Sequence, residues 1–84
     1  MIKDIKAFME IDEQREELEA IAKTYKAIGD VAHEHAAECY VKGEYVAYSV
    51  WLDLIDLCIE SVTKTNEDLE DIKEQLAEIV NEET

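Results

Sequence analysis

The residues of this chain best suited to binding a metal ion are a histidine and a cysteine that lie four positions apart. On a helix, His35 and Cys39 would both reach one ion from the same face. Both fall, however, in a run of apolar residues with helical spacing, and His33 points to nearly the opposite face. Because a zinc site needs three or four protein ligands, we interpret His35 and Cys39 as packed residues and predict no metal and no cofactor.

Carboxylates with helical spacing are the second group that could do chemistry. Residues 12–16 read DEQRE and residues 53–56 read DLID. These nine residues resemble the EExxE and ExxD motifs of the MazG-type nucleotide pyrophosphohydrolases, although the second segment begins with aspartate where the family has glutamate. The resemblance implies an all-α, magnesium-dependent enzyme that releases pyrophosphate from nucleoside triphosphates, with Glu16 and Asp56 among its essential residues.

Other catalytic arrangements are missing from the sequence. There is no glycine-rich phosphate loop, and no serine or cysteine is followed by an evident base. Eight basic residues are all that is available to hold a phosphate. We therefore predict no catalytic residues and keep the pyrophosphohydrolase as the alternative function.

Negative charge is the strongest chemical feature of the sequence. The chain has 22 acidic and 8 basic residues, for a net charge of −14. This charge argues against direct binding to nucleic acid or to an anionic membrane, because both require cations on the protein. It favours a protein partner with a basic surface.

The acids of the C-terminal third recur at helical spacing and so predict an acidic face. Between residues 53 and 83 there are 11 acids over about 46 Å of helix, or roughly one per 4 Å, close to the roughly 3.4 Å spacing of phosphates along one nucleic-acid strand. A surface that served only solubility would interleave lysine with glutamate, so a partner-binding role and an inert role both stay open. The predicted partner-binding residues are Asp53, Asp56, Glu60, Glu67, Glu70, Asp71, Glu74 and Glu78.

The leading hypothesis is a non-enzymatic interaction protein that inhibits or regulates a larger, nucleic-acid-handling protein through this face. In size, charge and lack of active-site motifs the chain is similar to phage-encoded inhibitors such as nucleic-acid mimics and anti-CRISPR proteins. A purely structural or assembly role is a further alternative, which the sequence does not separate from the first.

The elements that would position these residues are helices. With 84 residues, no proline and two glycines, the chain predicts a single all-α domain. Ten residues from Tyr48 to Ile79 fall alternately three and four apart and predict a helix over about residues 44–81. A second run, made of Ile11, Gln14, Leu18, Ile21, Tyr25, Ile28, Ala32, His35 and Cys39, predicts a helix over about residues 12–42.

Three positions decide how these helices begin and end. Residues 2–10 predict a separate short helix, with a break near Ile11 and Asp12 as the next N-cap. Gly29 leaves open whether the long helix is interrupted. Gly43 predicts the turn of an antiparallel hairpin, in which facing residues have numbers that sum to about 87. His35 then lies beside Trp51.

An apolar surplus near the turn predicts association. Between residues 45 and 59 only one narrow strip of the helix is polar, and a single partner helix covers only one side. We expect a homodimer that forms a four-helix bundle, or else a helix of another protein on the same surface. The expected compartment is the cytosol, since the sequence has no secretory signal and three acids interrupt the apolar region. The predicted interface residues are Val50, Leu52, Leu54, Leu57 and Ile59.

Overall fold

The chain folds into an antiparallel hairpin of two long helices. The computed structural model describes residues 4–81, with α1 over Ile5–Lys42 and α2 over Tyr45–Asn81. The hairpin is a rod of 61 × 14 × 13 Å. These elements confirm the all-helical hairpin expected from the sequence. Within the described residues, neither helix has a segment apolar enough to cross a bilayer.

The turn is made by Gly43, as the sequence predicts. Gly43 has φ 75° and ψ 15°, a left-handed conformation that glycine adopts without steric cost. Its N–H donates to the carbonyl of Tyr40 at 3.1 Å, and the N–H of Glu44 donates to the carbonyl of Cys39 at 2.9 Å. These two bonds satisfy carbonyls that the end of α1 would otherwise leave unpaired.

Helix α1 begins earlier than expected and runs without a break. Asp4 is its N-cap, and the side chain of Asp4 accepts a hydrogen bond from the N–H of Ala7 at 3.0 Å. The helix continues through Ile11 and Asp12, so the separate helix predicted over residues 2–10 is not seen. Residues 2 and 3 of that prediction lie outside the described residues. Asp12 does not cap a helix, because it lies inside α1; its carboxylate instead accepts a hydrogen bond from Arg15 Nε at 2.7 Å.

The apolar seam of α2 is confirmed. All ten predicted positions between Tyr48 and Ile79 are buried or half-buried. Thr65, the polar member, donates its hydroxyl to the carbonyl of Ser61 at 2.7 Å and is thereby satisfied inside the helix. Helix α2 continues without a break through Thr65.

The seam of α1 matches the predicted one at Ile11, Leu18, Ala32 and Cys39, which are buried or half-buried, and differs at the positions between them. Ile21 and Ile28 are 43% and 41% exposed, whereas Ala36, outside the predicted run, is 4% exposed. Gly29, rather than Ile28, faces the side chain of Cys58 on α2. Small side chains at the contact allow two helix axes to approach closely. Helix α1 is therefore rotated so that Ala22 and Gly29 face α2 in place of Ile21 and Ile28, and Ala36 is buried beside His35.

The predicted register across the hairpin is confirmed. The rings of His35 and Trp51 stack with their centroids 4.6 Å apart and their planes 15° apart. Ala32 and Ile55 belong to one buried cluster. In both cases the residue numbers sum to about 87, as the turn at Gly43 and the helical rise require.

Alanine substitutions at the two glycines should change the free energy of unfolding in opposite directions. At Gly29 an added Cβ would lie 3.6 Å from the Cβ of Cys58, an ordinary contact. We expect Gly29→Ala to raise the free energy of unfolding by about 1 kcal/mol, because alanine is the better helix former. Gly43→Ala should lower it by about 1 kcal/mol, because of the positive φ. Urea unfolding followed by circular dichroism, at one chain concentration, measures both, and the same sign for both would contradict this assignment.

Candidate functional site

Two acidic segments meet at the end of the hairpin opposite the turn. Residues 10–19 of α1 and residues 67–78 of α2 carry six acids each. Because facing residues sum to about 87, these segments lie side by side. Twelve carboxylates against Arg15 and Lys73 leave −10, so most of the net charge of −14 is located here. We call this region the acidic pole; it comprises Glu10, Asp12, Glu13, Glu16, Glu17, Glu19, Glu67, Asp68, Glu70, Asp71, Glu74 and Glu78.

The α1 side of the acidic pole is partly neutralised by Arg15. Arg15 Nε contacts Asp12 Oδ1 at 2.7 Å, Arg15 Nη1 contacts Glu19 Oε2 at 2.9 Å, and Arg15 Nη2 lies 3.9 Å from Glu16 Oε1. The hydrogen bond with Asp12, and then the one with Glu19, raises the pKa of Arg15 above its usual range. Arg15 therefore stays charged and bound to its own helix.

The α2 side of the acidic pole has no such compensation. Glu67, Glu70 and Glu74 are exposed, as are the other predicted acids of α2. All the ion pairs found among residues 4–81 involve Arg15. Lys64 and Lys73 thus leave the acids of α2 unneutralised, and these carboxylates are free to meet cations of a partner.

The charge density of the acidic pole approaches that of duplex nucleic acid. Its twelve carboxylates, less Arg15 and Lys73, leave ten net negative charges along about 18 Å of rod, or roughly one per 1.8 Å, whereas a duplex carries one charge per roughly 1.7 Å of axis. The sequence of α2 alone suggested the spacing of a single strand. The difference arises because the fold places a second acidic segment beside the first.

The predicted acidic face is divided by the structure. Glu67, Glu70, Asp71, Glu74 and Glu78 lie in the acidic pole. The remaining predicted acids, Asp53, Asp56 and Glu60, are exposed on the half nearer the turn. Glu82 and Glu83, which contributed to the sequence count, lie outside the described residues.

Sequence reasoning missed the α1 half of the acidic pole. It treated residues 12–16 as a magnesium-binding motif instead of a partner for the acids of α2. The signal that would have revealed the pole is the register of the hairpin, which places residues 10–19 level with residues 68–77.

The two segments that resemble the pyrophosphohydrolase motifs are not brought together within the chain. Glu16 is level with Asp71, about 15 residues and roughly 22 Å along the rod from Asp56. Carboxylates that share one ion lie within a few ångströms of it. Among residues 4–81, no three His, Cys, Asp or Glu side chains are close enough to hold a metal ion together.

The histidine and cysteine considered as metal ligands differ in burial. Cys39 is a buried free thiol, as is Cys58, and its interpretation as a packed residue is confirmed. His35 stacks on Trp51 but remains exposed, so it is packed on one side only.

The predicted interface residues lie on two opposite sides of the hairpin. Leu54 lines a groove together with Ile28 and Val31, and Val50 and Leu57 lie one turn before and after Leu54 on the same helix. The other two predicted residues, Leu52 and Ile59, line two grooves on the opposite side. His33 lines both of these grooves. The apolar surplus is therefore two surfaces and not one.

Comparison with models of protein families, with curated proteins and with solved structures finds no match to this chain.

The acids of α2 should weaken the fold rather than support it. Glu70 lies three residues from Glu67 and four from Glu74, so like charges are neighbours on the helix. We expect Glu70→Lys to raise the free energy of unfolding by roughly 0.5 to 1 kcal/mol, because the repulsions with Glu67 and Glu74 become attractions while only the attraction with Lys73 becomes a repulsion. Thermal unfolding at low and high salt measures this gain, which should shrink as salt screens the charges.

Glu70→Gln is the matched control for this substitution. It removes the charge without reversing it and should give about half the gain. If both variants proved less stable than the original chain, the acids of α2 would be stabilising, and their density would need no partner to explain it.

Proposed function

We propose that this chain is a non-enzymatic interaction module that inhibits or regulates a larger protein by docking its acidic pole on a basic surface. The observation that carries the proposal is a pole whose net charge has nearly the density of a duplex and whose carboxylates on α2 are exposed and unneutralised. A protein channel that holds nucleic acid presents lysines and arginines to phosphates. A rod with similar charge spacing can occupy that channel and exclude the nucleic acid.

Stability and solubility alone account poorly for this surface. A helix surface that serves stability pairs glutamate with lysine four residues apart, and a soluble domain of this size needs a net charge of only about 2 to 8. Glu67, Glu70 and Glu74 instead have no lysine four residues away, and each has an acid at that spacing. Their mutual repulsion is relieved when basic groups of a partner approach.

Electrostatic attraction would also determine the kinetics of docking. Opposite charge on two proteins raises association rates toward 10⁸ to 10⁹ M⁻¹s⁻¹ at low salt, compared with roughly 10⁵ to 10⁶ without it. An inhibitor that competes with nucleic acid for a channel benefits directly from such speed. The proposed partner is therefore a nucleic-acid-handling protein with a basic channel.

We further propose that the docking form is a homodimer in which two hairpins build a four-helix bundle. The apolar side chains that both helices leave exposed on the half nearer the turn support this proposal, since Val50 and Leu57 are 63% and 59% exposed in the single chain. Association there would leave the acidic pole accessible.

The proposal predicts that docking depends on the acids of α2. In a pull-down from the native host, the full chain should capture a protein that duplex DNA displaces and whose binding weakens at least about tenfold from 50 to 200 mM salt. The variant with Glu67, Glu70 and Glu74 all changed to lysine should capture none of it.

The matched control changes three exposed acids on the half of α1 nearer the turn, Asp30, Glu34 and Glu38, to lysine. It alters the net charge by the same amount but leaves the acidic pole intact, and it should bind nearly as well as the original chain. Equal losses in both variants would show that net charge alone matters. Binding that is insensitive to salt would refute electrostatic docking.

A further inference from the structure

On one side of the hairpin an apolar groove is lined without a single ionisable side chain, and His35, stacked on Trp51, lies at its edge. On α1 it is lined by Val31 and Ile28, together with Leu54 of α2. Val31 is 52% exposed in the single chain. We call this surface the uncharged face; its members are Ile21, Thr24, Ile28 and Val31 of α1 and Val50, Leu54 and Leu57 of α2.

The uncharged face exists because of the rotation of α1. Ala22, Gly29 and Ala36 occupy the contact with α2, so the larger side chains of Ile21 and Ile28 are turned to the flank. Exposing these apolar side chains to water costs about 25 cal/mol per Å² of apolar area. The surface is therefore suited to being covered.

The exposed area of the single chain is large enough to supply a stable interface. The chain exposes 6407 Å², whereas a compact monomer of 9.7 kDa would expose about 5100 Å². The excess of about 1300 Å² exceeds the roughly 800 Å² that each partner contributes to a standard interface. The radius of gyration, 18.8 Å, is likewise above the roughly 12 Å of a compact domain of this length.

Charge distinguishes this side of the hairpin from the opposite one. The groove on the opposite side is lined by Lys23, Lys26, Asp30 and His33 in addition to apolar residues. Burying those charges would require matched partners. Two chains of charge −14 repel each other, and the uncharged face is a surface through which they can meet without opposing like charges.

We infer that a second copy of this chain packs on the uncharged face and forms a two-fold symmetric homodimer. In such a dimer the same surface is used by both copies. Val31, Ile28 and Leu54 lie at its centre, and Val50 and Leu57 lie toward its edge. Leu52 and Ile59, on the opposite side, stay outside the interface.

The charges also determine the relative orientation of the two copies. The middle of the uncharged face is level with about residue 30, some 22 Å along the rod from the middle of the acidic pole. A parallel arrangement would place two acidic poles, each of charge −10, side by side at the roughly 8 Å to 10 Å spacing of packed helices. This distance is about one screening length in salt, so the two poles would repel each other. The copies therefore cross or run antiparallel, with their acidic poles well separated.

The resulting dimer presents two separate acidic poles. If the acidic pole is the docking surface, as the proposed function holds, each dimer can engage two basic sites and gain avidity where their spacing matches. This last consequence rests on the proposed function. The dimer itself does not, and it is tested without any partner.

The mass of the full chain in solution tests the interface. At about 50 µM, sedimentation equilibrium should give twice the chain mass of 9.7 kDa. Val31→Glu should raise the dissociation constant at least about 100-fold, because a carboxylate then enters the interface from both copies. Ile59→Glu is the matched control: Ile59 is also β-branched and is 57% exposed, and its variant should shift the constant less than about threefold.

Both positions are half-exposed in the single chain, so both variants should keep the helix content of the original, as circular dichroism would verify. A monomeric original chain would overturn the inference. An Ile59→Glu variant that dissociates as readily as Val31→Glu would overturn the assignment of the face.

A distance between the two copies tests their orientation. Cys39 and Cys58 are buried, so a nitroxide attached to the exposed position of Glu13→Cys under native conditions should label one site per chain, as mass spectrometry can verify. Pulsed electron resonance should give a separation above about 30 Å for crossed or antiparallel copies. A shorter separation would overturn this orientation.

Salt separates this inference from the proposed function. Added salt should tighten the dimer, because it screens repulsion between two negative chains, whereas it should weaken docking on a basic partner. If the dimer forms but docking fails, the interface is supported and the docking is refuted. If docking succeeds but the chain is monomeric, the docking is supported and the interface is refuted.

Discussion

The close contact between the small residues of α1 and the large apolar residues of α2 determines the rest of this structure. Gly29 and Ala32 allow the backbone of α1 to approach Cys58 and Ile55, and this approach selects the rotation of α1 about its own axis. The rotation turns Ile28 and Val31 outward and so creates the uncharged face. Together with the turn at Gly43, the same contact holds the register that brings two acidic segments together.

Apolar packing and charge repulsion act at the same end of the hairpin, and packing prevails. Each like-charge neighbour on a helix costs a few tenths of a kcal/mol, while a buried leucine or isoleucine contributes about 1.5 to 3 kcal/mol. Leu69 and Ile72 are 7% exposed within the acidic pole, so the seam there can hold a surface that destabilises it. The hairpin can thus carry an unusually dense charge, provided that the seam of α2 remains continuous.

The two helices differed in how well the sequence predicted them. In α2 the seam consists of large apolar residues with one threonine, and there is a single way to place it, so the prediction was confirmed throughout. In α1 two runs with helical spacing overlap, one through Ile21 and Ile28 and one through Ala22 and Gly29. Hydrophobicity alone predicts that the isoleucines face α2. In the structure the smaller residues lie there, because side-chain volume at a close contact counts as much as polarity.

The sequence by itself determined the two long helices, although not where α1 begins, together with the turn at Gly43, the register and the net charge, because these depend on local backbone preferences, on helical rise and on composition. Only the tertiary structure decided which face of α1 is covered, and hence that one flank is uncharged while acids from both helices form one pole. Rotation of a helix depends on how side chains of the opposite helix fit against it, and a pattern read along one chain does not contain that fit.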